Sequence, residues 1–204
     1  VVTMFGMWSC SNAFSSAGSY SQNDADLLVS DAVAVINLNG TIQYDGTTCS
    51  PEGLKSQLDI AAENNYIKAV VLRVNSGGGV ATAGEEMTEY VREFKETTGK
   101  PVVVSSAATN ASAAYEISSQ ADCIYVGKTT AIGAIGTAMQ FMDYSGLMEM
   151  LGITTEDITS SSSKDSTYGN RALTDEERAY YQAQVDQINE EVMSSVVIPN
   201  ISIR

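Results

Sequence analysis

The sequence predicts an α/β fold with a largely parallel sheet, and three observations carry that reading. Short β-rich apolar runs recur at 32–38, 69–74, 101–105 and 123–126. Stretches with helical apolar spacing lie between them, and capping residues stand where those helices should start and stop. Strands that alternate with helices imply crossover units, which join parallel strands. The length of 204 residues fits one sizeable domain, since domains run to roughly 100–200 residues.

Taken in order, the run 32–38 (AVAVINL) ends at Asn39-Gly40, a turn signal. Ser50 followed by Pro51 reads as an N-cap with proline at the first helical position, opening a helix to about Asn64. The run 69–74 (AVVLRV) is a second buried strand, and it leads into Asn75-Ser76-Gly77-Gly78-Gly79. Ala83, Met87, Val91 and Phe94 then recur at helical spacing, and Gly99 closes that helix. Residues 101–105 (PVVVS) and 123–126 (CIYV) give a third and a fourth strand. The rhythm breaks at 159–163, a polar Thr-Ser loop. Thr174 with Glu177 three residues on forms a capping box, and Asp175 and Glu176 suit the positive end of the helix dipole. The helix that follows carries Val185, Ile188 and Val192 on one face, to pack on its own core or on another subunit.

Composition narrows the chemistry. With 11 basic and 25 acidic side chains the formal charge is −14, which argues against nucleic acid and against docking on anionic lipid. Histidine is absent, so these residues contain no Ser-His-Asp or Cys-His catalytic set and no histidine-ligated zinc. Cys10, Cys49 and Cys123 are far apart, odd in number and without a CxxC pair. They read as structural thiols rather than as a disulfide framework or a metal site. No metal and no cofactor is predicted. Residues 1–8 (VVTMFGMW) are apolar, and a Ser/Ala/Asn/Gly tract follows. This stretch is too short to span a bilayer and reads either as the trailing end of a membrane anchor or signal, or as a plain tail. The expected division is a tail over 1–30, one folded domain over 31–198 and a short tail over 199–204.

Glycines between a strand and a helix can present backbone N–H groups to an anion or an oxyanion. The run at 77–79 lacks the Gly-Lys-Ser/Thr close of a Walker loop and the spacing of a dinucleotide fingerprint. A tight turn without ligand is the plainer alternative. Ser112, where the third strand passes into a short helix, is either an ordinary N-cap or a nucleophile with its Oγ exposed at the junction. Without histidine a serine nucleophile needs another base. Lys55, Lys68, Lys95 and Lys100 fall on helices or at their ends and Lys128 at a strand end, whereas Lys164 alone sits in a small-residue loop.

Five segments carry a family resemblance: 69–79 (AVVLRVNSGGG), 111–122 (ASAAYEISSQAD), 144–153 (YSGLMEMLGI), 158–165 (ITSSSSKD) and 171–177 (RALTDEE). Together they resemble signal peptide peptidase A, a serine–lysine peptidase family whose fold is related to Clp protease and crotonase. The likeness runs in order from about Ala32 to Gln187. It implies Ser112 as nucleophile, Lys164 as general base, and the N–H groups of Gly78 and Ala113 as oxyanion donors. It also implies peptide substrates such as remnant signal peptides, a homo-oligomeric ring, and an anchor upstream that holds the catalytic domain outside the cytoplasm of a bacterium. The chain departs from the pattern in four places. Gly77 stands for proline, Ala113 and Ala114 for glycines, and Ala134 for a serine that would orient the lysine. It also ends before the family's Gly-Arg-x-Tyr-x-Gly-type segment.

A lysine titrates near 10.4 in water, so a lysine base working at neutral pH must drop by about 3 units, or roughly 4 kcal/mol. Burial is the available cause. Asp165 would oppose that drop if it faced the lysine, and the alternation of an extended loop turns it outward. Three functions compete: an active serine–lysine endopeptidase, an inactive scaffold of the same fold, and a crotonase-like acyl-CoA enzyme. The Lys164 loop argues against the last.

Overall fold

The computed structural model describes residues 25, 27–197 and 200–203. The expectations for the N-terminal apolar stretch and for Cys10 lie outside those residues. The chain divides into two compact units, Val1–Gly136 with Val192–Arg204, and Thr137–Glu191.

The first unit is built on a six-stranded sheet in which every described pairing is parallel. Its strands are β1 (Ala32–Asn39), β2 (Ile67–Ser76), β3 (Val102–Ala111), β4 (Cys123–Val126), β5 (Ala131–Gly133) and β6 (Asn200–Ile203). The order is β1-β2-β3-β4-β6, and β5 also pairs with β3. Helices α1 (Pro51–Glu63), α2 (Ala81–Thr98) and α3 (Ala113–Ser119) supply the crossovers. The α/β class expected from the alternation of elements is the observed one.

Strand alternation explains the core. Val70, Leu72 and Val74 of β2 and Val102 and Val104 of β3 point to one face and are fully buried. Leu54 and Leu58 of α1, Met87 and Val91 of α2 and Ile117 of α3 cover that face in one cluster. The helix signals hold: Ser50 Oγ accepts from Gly53 N–H at 3.1 Å, Pro51 opens α1, and Gly99 ends α2 at φ 66°. Cys49 lies in this core, and burial pushes its thiol pKa up to about 11.

β3 runs six residues further than the apolar run that announces it. Its first half pairs with β4 through Val103, Val104 and Ser105, and its second half pairs with β5 through Thr109, Asn110 and Ala111. The polar stretch holds because Asn110 is buried and bonded to Ser106 and Ser118. The sequence reading leaves 199–204 as a tail, but Asn200–Ile203 pair with β4. The polar/apolar alternation of Asn200-Ile201-Ser202-Ile203 is too short to announce a strand, and it becomes one because the parallel edge of β4 is open to it.

The second unit contains α4 (Ser145–Leu151) and most of α5 (Asp175–Ser195). The predicted capping box forms: Glu177 N–H donates to Thr174 Oγ1, and Thr174 N–H returns to Glu177 Oε2 at 2.8 Å. Val185, Ile188 and Val192 are half-buried. Among the described residues no helix is long and apolar enough to cross a membrane.

Candidate active site

β3 ends at Ala111 and α3 begins at Ala113, so Ser112 takes the whole change of direction. It does so at φ 54° and ψ −132°, a region that side chains other than glycine rarely occupy. Three backbone bonds hold it there. Ser112 N–H donates to Gly133 O at 2.8 Å, and Ser112 O accepts the N–H of Tyr115 and of Glu116. Ser112 stands at the N-cap position of α3, but its hydroxyl makes no cap bond to the helix.

Gly78 packs directly on this serine. A Cβ at Gly78, where φ is 93°, would stand 2.7 Å from Ser112 Cβ and 3.0 Å from Ala113 N. Only glycine fits on both grounds. Ala113 opens α3, so its N–H has no carbonyl of its own helix to meet, and none of the described backbone carbonyls accepts it. Its Cβ lies against Gly84 of α2, where a second Cβ would come within 2.7 Å. The alanine at 113 is therefore tolerated because α2 presents a glycine opposite.

The Gly78 N–H, expected to face an oxyanion, donates instead to the buried Ser76 Oγ at 3.1 Å. The next residue is placed differently. Ile42 forms a parallel bridge with Gly79, donating its N–H to Gly78 O at 3.0 Å and accepting from Val80 N–H at 2.9 Å. In such a bridge the N–H of the bridged residue points away from its partner. The Gly79 N–H thus faces away from Ile42, and no described backbone carbonyl accepts it. Sequence reasoning passed over Gly79 because three adjacent glycines look alike until a strand register tells them apart.

The turn at 133–136 keeps its backbone role without a serine. Gly133 and Ala134 both have positive φ, at 96° and 49°, and Gly133 supplies the carbonyl that holds Ser112. Ala134 offers no hydroxyl.

Lys164 belongs to the second unit and lies in the turn-rich stretch between α4 and α5. Its side chain is exposed and takes part in no ion pair among the described residues. The loop itself is tied down. Arg171 donates Nε and Nη2 to the two Asp165 oxygens at 2.9 and 2.7 Å, and both Nη atoms to Glu177 at 2.8 Å. Asp165 is therefore not turned to solvent as expected: the forked guanidinium holds it between the lysine loop and the first turn of α5. The hydrogen bonds from Arg171 keep Asp165 below the usual carboxylate range and, with the Thr174 N–H, bring Glu177 down to about 2. Ser166 adds a bond to Tyr181 Oη at 2.7 Å. Among the described residues no cluster of histidine, cysteine and carboxylate ligands could hold a metal.

The sequence profile of peptidase family S49 matches residues 94–198, about half of the chain, including Ser112 and Lys164. The chain belongs to peptidase family S49. The chemistry of this family is that of serine peptidases. A candidate protease of Methanocaldococcus jannaschii is 34% identical over 83% of this chain and 57% of its own length. Protease 4 of Haemophilus influenzae is 36% identical over 61% of this chain and 21% of its own. A protein of Enterococcus faecium, named as a candidate signal peptide peptidase SppA, is 29% identical over 70% and 40%. This S49 chain thus spans little more than half the length of the first relative and less of the others. A solved membrane-bound stomatin-specific protease in complex with a substrate peptide superposes with a TM-score of 0.46 at 17% identity, covering 86% of this chain and 77% of that one.

Proposed function

We propose that this chain is the catalytic core of a serine–lysine endopeptidase that cleaves remnant signal peptides or other membrane-associated peptides. The observation that carries the reading is the backbone of Ser112, strained at a strand–helix junction with its hydroxyl free of any cap bond. Ser112 Oγ attacks the scissile carbonyl, and neutral Lys164 takes its proton. The N–H groups of Ala113 and Gly79 stabilise the oxyanion, Gly78 being the spacer that lets the turn close on the serine. The lysine ammonium then protonates the leaving amine, and the neutral lysine next activates water to release the acyl-enzyme. These steps call for no metal and no cofactor.

The exposed Lys164 needs cover before it can act as a base, because desolvation disfavours the ammonium. A homo-oligomeric ring supplies that cover. Its support is the apolar surface of the second unit, where Leu147, Met150, Leu151, Ile153 and Ile158 are all more than half exposed. The name of the Enterococcus faecium relative supports substrates of the signal-peptide class, and membrane attachment upstream of this chain with the catalytic domain on the extracytoplasmic face of a bacterial membrane is part of the same proposal. One observation favours a second reading, an inactive scaffold: Ala134 has no hydroxyl with which to orient the lysine.

Fluorophosphonate labelling separates the two. The active enzyme labels at Ser112, Ser112→Ala does not, and Lys164→Arg loses peptide hydrolysis because arginine does not deprotonate. Labelling that persists in Ser112→Ala, or an active Lys164→Arg, overturns the dyad. No labelling of the parent chain favours the scaffold.

A further inference from the structure

The helix that carries Ser112 at its head is joined at its far end to the C-terminal segment by a partly buried polar seam. Gln120 Nε2 donates to Ser195 O at 2.8 Å, and Val197 N–H donates to Ser119 Oγ at 3.3 Å. Beside them Glu116, 1% exposed, places Oε1 2.5 Å from Ser195 Oγ. The same hydroxyl lies 2.9 Å from Val192 O.

A serine hydroxyl has one hydrogen, yet here it has two acceptors if Glu116 is ionised. A protonated Glu116 resolves the count. Oε1–H donates to Ser195 Oγ, and the serine hydrogen donates to Val192 O. Glu116 Oε2 is buried with no hydrogen-bond partner among the described residues. As the carbonyl oxygen of a neutral acid that isolation is tolerable, whereas half of an ionised carboxylate would be left unsolvated. No described lysine or arginine pairs with Glu116. On the α2 side a Cβ added at Gly84 would lie 3.7 Å from Glu116 Oε2 and Glu85 presents a like charge, and from the end of α5 the Ser195 hydroxyl faces it.

We propose that Glu116 is a protonated latch between α3 and the C-terminal segment that ends in β6, and that it lets go when the carboxyl ionises. Ionisation releases one proton to solvent. It leaves Glu116 Oε1 and Val192 O competing for a single hydrogen, with a buried charge and no cation. The inference concerns the fold and stands whether or not Ser112 is the nucleophile.

Burial raises the pKa of this carboxyl, which fixes the sign. The latch is complete below the usual carboxylate range. It weakens as pH rises from there through the raised folded value, and stays weak above it. Within that window the opening constant of the segment rises by at most about tenfold per pH unit.

The test is amide hydrogen exchange of the peptide spanning 196–203 in the intact chain, divided at each pH by the intrinsic chemical rate. The wild type is expected to open as pH rises. Glu116→Gln, which keeps the size and the donor but does not titrate, is expected to hold evenly, and Ser195→Ala to open about fivefold to tenfold more than wild type at low pH, where the latch is complete, with the difference shrinking as pH rises. Identical pH profiles for wild type and Glu116→Gln overturn the latch. If Glu116→Gln does not fold, carboxyl-carbon NMR of the wild type decides. A Glu116 midpoint above those of the exposed glutamates supports the latch, and one in the usual carboxylate range overturns it.

Discussion

The two units are held together by different physics. In the first, the inner face of a parallel sheet and three helices bury Val70, Leu72, Val102, Leu54, Met87 and Val91 completely. In the second, the only buried residues among those described are Ser166, Gly169 and Glu177, and α4 buries nothing. Polar geometry takes the place of a core there: the Arg171 clamp, the capping box and the Ser166–Tyr181 bond. The proposed nucleophile sits on the unit that has the buried apolar core. The proposed base sits on a unit with apolar side chains left to offer a neighbour, and that contrast is what the ring reading rests on.

The largest expected effect comes from mixing inactive chains. If the serine of one protomer works with the lysine of another, Ser112→Ala and Lys164→Ala chains recover peptidase activity when combined, although neither has any alone. No recovery after co-refolding confines both groups to one chain. Next comes stability. Leu72→Ala should cost about 2–5 kcal/mol in chemical denaturation, and Leu147→Ala, 54% exposed in the second unit, should stay within about 0.5 kcal/mol. Equal costs would erase the contrast between the units.

Acid sharpens it further. Asp165 and Glu177 have depressed pKa values, so the clamp stabilises the fold above the usual carboxylate range and is lost as pH falls through about 2. Glu116 has the opposite sign, so the first unit loosens as pH rises and the second as pH falls. Hydrogen exchange of residues 160–180 should show this, with Arg171→Gln opening already in the usual carboxylate range. That variant should also lose activity, by about a hundredfold if the lysine loop shifts by an ångström. An acid profile unchanged by Arg171→Gln would mean that something else holds the loop. The smallest effect is at Ser112 itself. Ser112→Gly relieves the positive φ and should raise stability by about 1 kcal/mol, while Ser112→Ala should leave it nearly unchanged. A destabilised glycine variant would show that the junction is not strained.

Much of the first unit was legible because its signals are local. An apolar run of five to seven residues, an N-cap with proline behind it and a glycine at a helix end each act through near neighbours. The capping box at Thr174 and Glu177 was legible for the same reason. The second half of β3 was not, since Thr109, Asn110 and Ala111 are strand only because β5 and the buried Asn110 bonds hold them. Asp165 was misjudged because alternation in a loop carries less weight than one forked guanidinium six residues away.

The sequence by itself determined the α/β class, the order of the elements from β1 to β4, the family, and the serine and lysine on which the proposed chemistry turns. Those depend on residue type and short spacing, which a chain carries whether or not it is folded. Only the tertiary structure decided which glycine N–H is free, since that follows from a bridge between Ile42 and Gly79, thirty-seven residues apart. It alone brought Glu116 to Ser195, and with that a protonation state that no glutamate reveals in sequence. Hydrogen-bond partners across such separations depend on where the backbone goes, and burial then sets what each polar group must do to remain paired.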